Sequence, residues 1–357
     1  MTTATIDQAR AEAFAGEVIG TINHAFTTLM ISVGQRTGLF DTMATLPPST
    51  SDEIAKAAGL QERYVREWLG NMTVSRFVEH DPAKGTYVLP PEHAASLTRA
   101  AGPGNLAAMT EFLAQMGKVE DEVVESFRKG GGVPYSKFDR FQELMRQESA
   151  QVFDATLIDV TLPLVPGLPD KLKAGIDVAD VGCGAGHAIN VMARAYPNSR
   201  FTGYDFSEEG IGIGRAEAKE WKLSNASFEV KDAADLGVKG KFDLITVFDA
   251  VHDQAQPRKM LKCIADALKP DGVFLCADIA GDSTHAGNME HPLAPTMYAI
   301  STFHCMTVSL ALGGEGLGTM WGQQKAHELL NEAGFTSVEE KNVEGDILNV
   351  YYICRKG

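Results

Sequence analysis

Basic residues are scarce in these 357 residues: 32 lysines and arginines stand against 47 aspartates and glutamates, a net charge of −15. Such a surface repels phosphate backbones and anionic headgroups, which argues against nucleic acid or a membrane as partner. The five cysteines, at 183, 263, 276, 305 and 354, form no C-x-x-C pair and no zinc-type spacing. A structural metal is therefore not expected, and reduced thiols are. No uninterrupted apolar run approaches the roughly 18 residues of a spanning helix. The opening residues 1–7 lack a basic-then-apolar signal pattern, so a cytoplasmic protein is expected. Internal repeats and low-complexity tracts are also missing. Glycine is plentiful at 35 residues, and the 44% hydrophobic content suffices for two packed cores.

The glycines that matter are Gly182, Gly184 and Gly186. Residues 176–181 are apolar apart from Asp177 and Asp180, and residues 188–195 have a helical composition. A strand breaking through a glycine turn into a helix brings backbone N–H groups close to a ligand. A dinucleotide site requires G-x-G-x-x-G, but here the spacing is G-x-G-x-G and His187 stands where the last glycine would be. Asp180, just ahead of the turn, would repel a pyrophosphate but suits an ammonium, or orders the turn's own N–H groups. S-adenosylmethionine, with a sulfonium and an ammonium, fits better than NAD. Cys183 is read as a small residue tolerated in the turn. The motif resembles motif I of class I methyltransferases.

Four more strands are expected in series, at 200–206, 227–232, 242–248 and 272–279, followed by helix 323–333 and a terminal strand pair at 336–341 and 348–354. Helical stretches at 207–221 and 256–268 separate most of them. Asp205, ending the second strand, stands where a carboxylate takes ribose hydroxyls, with Phe206 beside it. Asp232 and Ala233, after the third, are placed for adenine, while Phe248 and Asp249 close the fourth. A strand-end Asp is also a helix N-cap, and that reading of Asp205 and Asp232 stays open. The expected fold is α/β, a seven-stranded Rossmann-like sheet preceded by an α-helical winged-helix domain.

In the amino-terminal third, residues 11–34 form a helical stretch whose Phe14, Val18, Ile19, Ile22, Phe26 and Leu29 cover more than one face, which suggests packing on a second chain. Residues 51–60 open with a capping pattern and end on Gly59, a second helix runs over 62–72, and a hairpin follows through 76–89. That is a winged-helix pattern, yet its reader helix interleaves Glu62 and Glu67 with Arg63 and Arg66. Its charges cancel, so dimerisation is favoured over DNA binding.

Nearly end to end, the chain resembles bacterial small-molecule methyltransferases with an N-terminal winged-helix dimerisation domain, mycobacterial examples included, and more distantly the plant O-methyltransferases. Residues 37–41, 62–69, 162–168, 180–186 and 318–322 carry the resemblance. It implies a homodimer using S-adenosylmethionine, with S-adenosylhomocysteine as product: the glycine turn holds the methionine portion, Asp205 the ribose, and Asp232 with Ala233 the adenine. His252 stands where the plant enzymes place a catalytic His-Asp pair, which makes His252 the candidate base and Asp253 its candidate partner. Gln254 occupies the position of the plant enzymes' tryptophan.

The acceptor pocket is expected from residues 106–163 and the insertion 280–318, with Tyr135, Tyr298 and His304 as candidate substrate residues and helix-interior packing as their alternative. Residues 313–318 read as a hinge loop. Domains are expected at 1–100, 101–170 and 171–357, with the insertion at 280–320. The expected activity is methyl transfer to a small, partly apolar acceptor, oxygen favoured over sulfur or nitrogen by His252. The alternative is a cofactor-sensing winged-helix regulator without transfer; a third reading, an NAD-dependent oxidoreductase, lacks the glycine that His187 replaces.

Overall fold

The computed structural model describes residues 6–357, and the chain divides into two compact units, Met1–Gly117 and Lys118–Gly357. In the first unit, α1 (Gln8–Thr37) is opened by Asp7, whose carboxylate accepts the Arg10 N–H, and closed by Gly38 in the left-handed region. Helices α2 (Leu39–Thr45), α3 (Ser51–Ala58) and α4 (Glu62–Val74) follow. Thr50 and Glu53 form a reciprocal capping box at the start of α3, and Gly59 ends it. The wing is a short antiparallel pair, β1 (Glu79–Asp81) with β2 (Thr86–Val88), and α5 (Pro91–Leu97) and α6 (Thr110–Met116) complete the unit.

Phe40, Ile54, Trp68, Leu69 and Met72 form its core, with the Trp68 indole donating to the Met30 carbonyl at 2.8 Å. Gly34 permits that approach, since a Cβ there would lie 2.6 Å from the Trp68 ring and 2.7 Å from Phe40. The rest of α1 leaves Phe14, Ile19 and Phe26 about two-thirds exposed, at 65%, 59% and 64%.

The second unit begins with α7 (Glu120–Lys129), α8 (Phe141–Val152), a π-helical stretch Phe153–Thr161, and α9 (Leu168–Ala174). Then come β3 (Asp177–Val181), α10 (His187–Ala195), β4 (Arg200–Asp205), α11 (Glu208–Glu220), β5 (Ala226–Val230) and β6 (Phe242–Phe248). The chain finishes with α12 (Pro257–Ala267), β7 (Leu268–Ile279), α13 (Ala294–Ile300), α14 (Met306–Ala311), α15 (Gly322–Ala333), β8 (Ser337–Lys341) and β9 (Asn349–Arg355).

The seven strands run in the order β5-β4-β3-β6-β7-β9-β8; the first five are parallel, and β9 is antiparallel to both neighbours. One face is covered by a core that includes Leu261, Ile264, Leu330 and Phe335, the other by one that includes Leu157, Leu172, Ile189 and Phe201.

The boundary between the two units falls within the 101–170 stretch. Residues 101–117 belong with the first, and residues 118–170 are part of the second, because Leu157, Leu162, Val165 and Leu168 are buried in the core on one face of the sheet. The insertion folds as α13, a π-helical turn Ser301–Cys305 and α14. The 313–318 loop is pinned: Gly318 N–H donates to the His252 carbonyl at 3.0 Å, and Glu315 N–H to Ala255 at 3.0 Å. Among the described residues, no single helix is long and apolar enough to cross a membrane.

Candidate active site

In a parallel sheet the strand order reverses between β3 and β6, and a crevice opens at their carboxyl ends. The glycine turn leaves β3 at this point. Gly182, Gly184 and Gly186 all have positive φ, at 74°, 52° and 71°. A Cβ on Gly182 would lie 2.7 Å from that of Ala250, and one on Gly186 would run into the Phe228 ring. Larger residues are excluded on steric as well as conformational grounds. His187 then begins α10, its ring held by Glu217 at 2.9 Å and Asp154 at 3.2 Å. The residue that breaks the dinucleotide pattern is thus a tether between α10, α11 and the π-helical stretch.

Four carboxylates stand at or near the carboxyl ends of these strands. Asp205 uses one oxygen to accept the Gly184 N–H and the other to accept the Ser207 N–H, both at 2.8 Å. It thereby orders the turn, whereas the N-cap of α11 is Ser207, whose hydroxyl accepts the Gly210 N–H at 3.1 Å, so the N-cap reading of Asp205 is not met. Burial raises the Asp205 pKa, against the pull of the Gly184 and Ser207 N–H groups. Asp180 is buried, accepts from the Thr246 hydroxyl at 2.8 Å, and is raised by burial to about 7. Asp249 follows β6 at φ 52°, a strained setting for a non-glycine residue; its Oδ1 is buried without a partner among the described residues, and burial raises its pKa to about 7. Asp232 is exposed and caps the short turn 233–235 by accepting the Ala234 N–H at 2.8 Å. Ala233 is buried behind it, Phe206 is 49% exposed, and Phe248 is half-buried against Phe153.

His252 does not pair with Asp253. Its Nδ1 donates to Asp278 Oδ1 at 2.7 Å, and the same oxygen accepts the Trp321 indole N–H at 3.0 Å and the Ile279 N–H at 2.8 Å. Burial alone would lower the His252 pKa, but the Asp278 charge at this distance overrides it, and the pKa lies well above 6.5. The Cys305 thiol is a further hydrogen-bonding neighbour of that ring. Asp253 instead accepts from Gln254 at 3.2 Å and lies beside the Tyr135 phenol; burial raises it to about 6, with His252 opposing.

Tyr135 and His304 come together in one aromatic group. Tyr135 meets His304 edge-on at 5.2 Å and Phe206 at 5.6 Å, while His304 stacks on Phe141 at 3.5 Å. Tyr298 is not part of this group. Its hydroxyl accepts from Asn288 at 2.9 Å, and it packs on a separate apolar cluster with Ala294, Met297 and Met320. Asp278 and Thr246 join the site without having been expected there, while Phe138 and Phe141 come from the 106–163 stretch expected to build the acceptor pocket. An acid closing an otherwise apolar strand, Leu275-Cys276-Ala277-Asp278, was the available signal for the first.

The sheet order, glycine turn and strand-end carboxylates define a class I methyltransferase fold with its cofactor edge. Residues 172–334 match the family described as a methyltransferase domain, and residues 25–99 match the Rv2258c-like winged HTH domain. The demethylmenaquinone methyltransferase of Lactococcus lactis is 25% identical over 196 residues, 51% of this chain and 74% of that protein. Nocamycin O-methyltransferase of Saccharothrix syringae is 31% identical over 127 residues, 34% of this chain and 45% of that one, so the chain spans under half of this relative's length.

Two solved structures share the fold over essentially the whole chain. Human N-acetylserotonin methyltransferase in complex with S-adenosylmethionine has a TM-score of 0.67 at 17% identity, covering 100% of both chains. CalO1, a methyltransferase in calicheamicin biosynthesis, in its S-adenosylhomocysteine-bound form, has a TM-score of 0.66 at 16% identity, covering 99% and 100%. The chain is an S-adenosylmethionine-dependent methyltransferase with an N-terminal Rv2258c-like winged helix-turn-helix domain.

Proposed function

We propose that the enzyme methylates an oxygen of a small, partly apolar acceptor, with His252 taking the acceptor's proton. The observation that carries this reading is the His252–Asp278–Trp321 chain beside the cofactor edge, which fixes the imidazole through Nδ1, with the Cys305 thiol as the ring's other hydrogen-bonding neighbour. When bound, S-adenosylmethionine supplies a methyl group on a sulfonium, open to in-line displacement. Asp205 would take the ribose hydroxyls on its remaining lone pairs, Asp232 and Ala233 the adenine, and Phe206 and Phe248 would cover apolar faces. The glycine turn, with Asp180 and the unpartnered oxygen of Asp249, would hold the cationic end. The protein's task is alignment and exclusion of water.

Asp253 supports a second reading, as a half-buried carboxyl with a pKa raised to about 6 lying against Tyr135. A rate profile separates the two, since activity governed by Asp253 rises through about pH 6, whereas activity governed by His252 rises only well above 6.5. The first experiment is transfer of labelled methyl to a panel of phenols, thiols, amines and carboxylates, with Asp205→Ala as the blank. Transfer to hydroxyls alone supports the proposal; transfer only to thiols or amines overturns the choice of oxygen. Cofactor binding without transfer to any acceptor favours the sensing regulator. We also propose that the chain works as a homodimer through the exposed apolar residues of α1.

A further inference from the structure

His304 is the unusual histidine of this chain. It is 1% exposed, and among the described residues neither ring nitrogen has a hydrogen-bond partner. A histidine buried for packing normally places at least one nitrogen on a polar group, as His93 does on the Phe77 carbonyl, His187 on Glu217 and His252 on Asp278. What surrounds His304 is aromatic: Phe141 stacked at 3.5 Å and 13°, Phe138 edge-on at 4.7 Å, and Tyr135 edge-on at 5.2 Å. The ring is carried by the π-helical turn between α13 and α14, a distortion often found at functional sites. Burial, with the nearby His252 charge, lowers its pKa to about 3, so near neutrality it is an uncharged ring with one donor and one acceptor.

Its position relative to the reacting groups is set by Tyr135. That ring touches His304 on one side and Phe206 on another, and the phenol lies beside Asp253 with Asp205 and Cys305 close by. The aromatic group therefore spans from the cofactor edge to the loop carrying His252. The strap that brings Tyr135 there is seated tightly, because Val133 N–H donates to the Thr307 hydroxyl at 2.9 Å and Gly132 lies flat against the Thr307 carbonyl, where no Cβ fits.

We propose that His304 is the residue by which this enzyme recognises its methyl acceptor, hydrogen-bonding a polar atom other than the one methylated while Tyr135, Phe138 and Phe141 hold a flat apolar body. This rests on the methyl-transfer reading above and deepens it. The acceptor class that follows is planar and not anionic, since Asp205 and Asp253 would repel an anion, and it carries a second hydrogen-bonding atom.

The test uses the full chain and pairs of flat hydroxylated acceptors that differ only in that second polar atom. The unmutated enzyme is expected to prefer the acceptor that has it. His304→Phe, which keeps a ring but removes both nitrogens, is expected to raise the acceptor KM about tenfold, equivalent to about 1.4 kcal/mol, and to lose the preference. Its affinity for S-adenosylhomocysteine should stay within about twofold. His304→Gln, which restores a donor and an acceptor, should recover part of the preference.

An independent readout needs no variant: in the unmutated protein labelled with ¹⁵N-histidine, acceptor binding should shift the His304 ring nitrogens. An unmoved KM in His304→Phe, or ring resonances indifferent to the acceptor, overturns the assignment of His304 alone. Failure of the unmutated chain to transfer methyl to any acceptor overturns the methyl-transfer reading and this one with it.

Discussion

At the scale of single residues, charge state decides what each group can do. His252 is useful as a base only when neutral, and Asp278 holds it protonated well above pH 6.5. The rate is therefore expected to rise with pH through a limb on the alkaline side of 6.5. Asp278→Asn removes the charge that raises the limb and leaves burial, which lowers it. The limb should then move to lower pH, while the plateau falls about 10²-fold because the ring is no longer oriented. A pH profile of kcat for both proteins checks this, and a limb that stays in place excludes His252 as the base.

His187 gives a stability counterpart. Burial opposes its protonation, but Glu217 and Asp154 prevail and its folded pKa is raised. A raised folded pKa means that the protonated tether contributes fully below the unfolded value of about 6.5 and fades as pH rises through the folded one. Thermal unfolding of His187→Gln should accordingly show its largest deficit below about pH 6.5. The deficit should shrink on the alkaline side.

At the scale of elements, α1 offers the clearest prediction. Phe14, Ile19, Ile22 and Phe26 are each at least half exposed on a helix of 30 residues, whereas Ile31 and Gly34 near its end are buried against α4 and Phe40. If the exposed stretch is the dimer face, then Ile22→Asp with Phe26→Glu yields a monomer in sedimentation equilibrium, with an unchanged circular dichroism spectrum. A dimer that survives both changes places the interface elsewhere. Gly34→Ala, by contrast, disturbs the core itself and should destabilise the protein by about 1–3 kcal/mol in chemical unfolding.

These elements were mostly legible in the sequence for local reasons. The capping box at Thr50 and Glu53, the stop at Gly59 and the apolar runs ending in Asp205 and Phe248 are all written within a few residues. What escaped was tertiary. Asp278 meets His252 across 26 positions, Val133 meets Thr307 across 174, and no periodicity marks π-helical turns such as Ser301–Cys305. The apolar residues 157–168 looked like a linker because an apolar stripe does not say which surface will cover it.

At the scale of the whole molecule, the question is whether a winged helix attached to a methyltransferase reads DNA. Reading requires free basic groups on α4 and a surrounding field that attracts phosphates. On α4, Arg63 pairs with Glu67 and Arg66 with Glu62, so each arginine is matched by a carboxylate one turn away. These exposed pairs contribute little to stability, yet they still neutralise the helix's local field. Across the chain, the net charge of −15 adds a repulsion that grows as salt is removed. A DNA-binding regulator would gain affinity steeply on dilution of salt, with one counterion released per phosphate contacted.

This protein is expected to do the opposite. Fluorescence anisotropy of labelled duplex DNA should show no binding tighter than roughly 10⁻⁴ M even at low ionic strength, with or without S-adenosylmethionine. Saturable binding that strengthens as salt falls, and that responds to the cofactor, would shift the function from catalysis to sensing. The same protein should then fail the methyl-transfer panel. Measured on one preparation, transfer without DNA binding keeps the catalytic reading, and DNA binding without transfer replaces it.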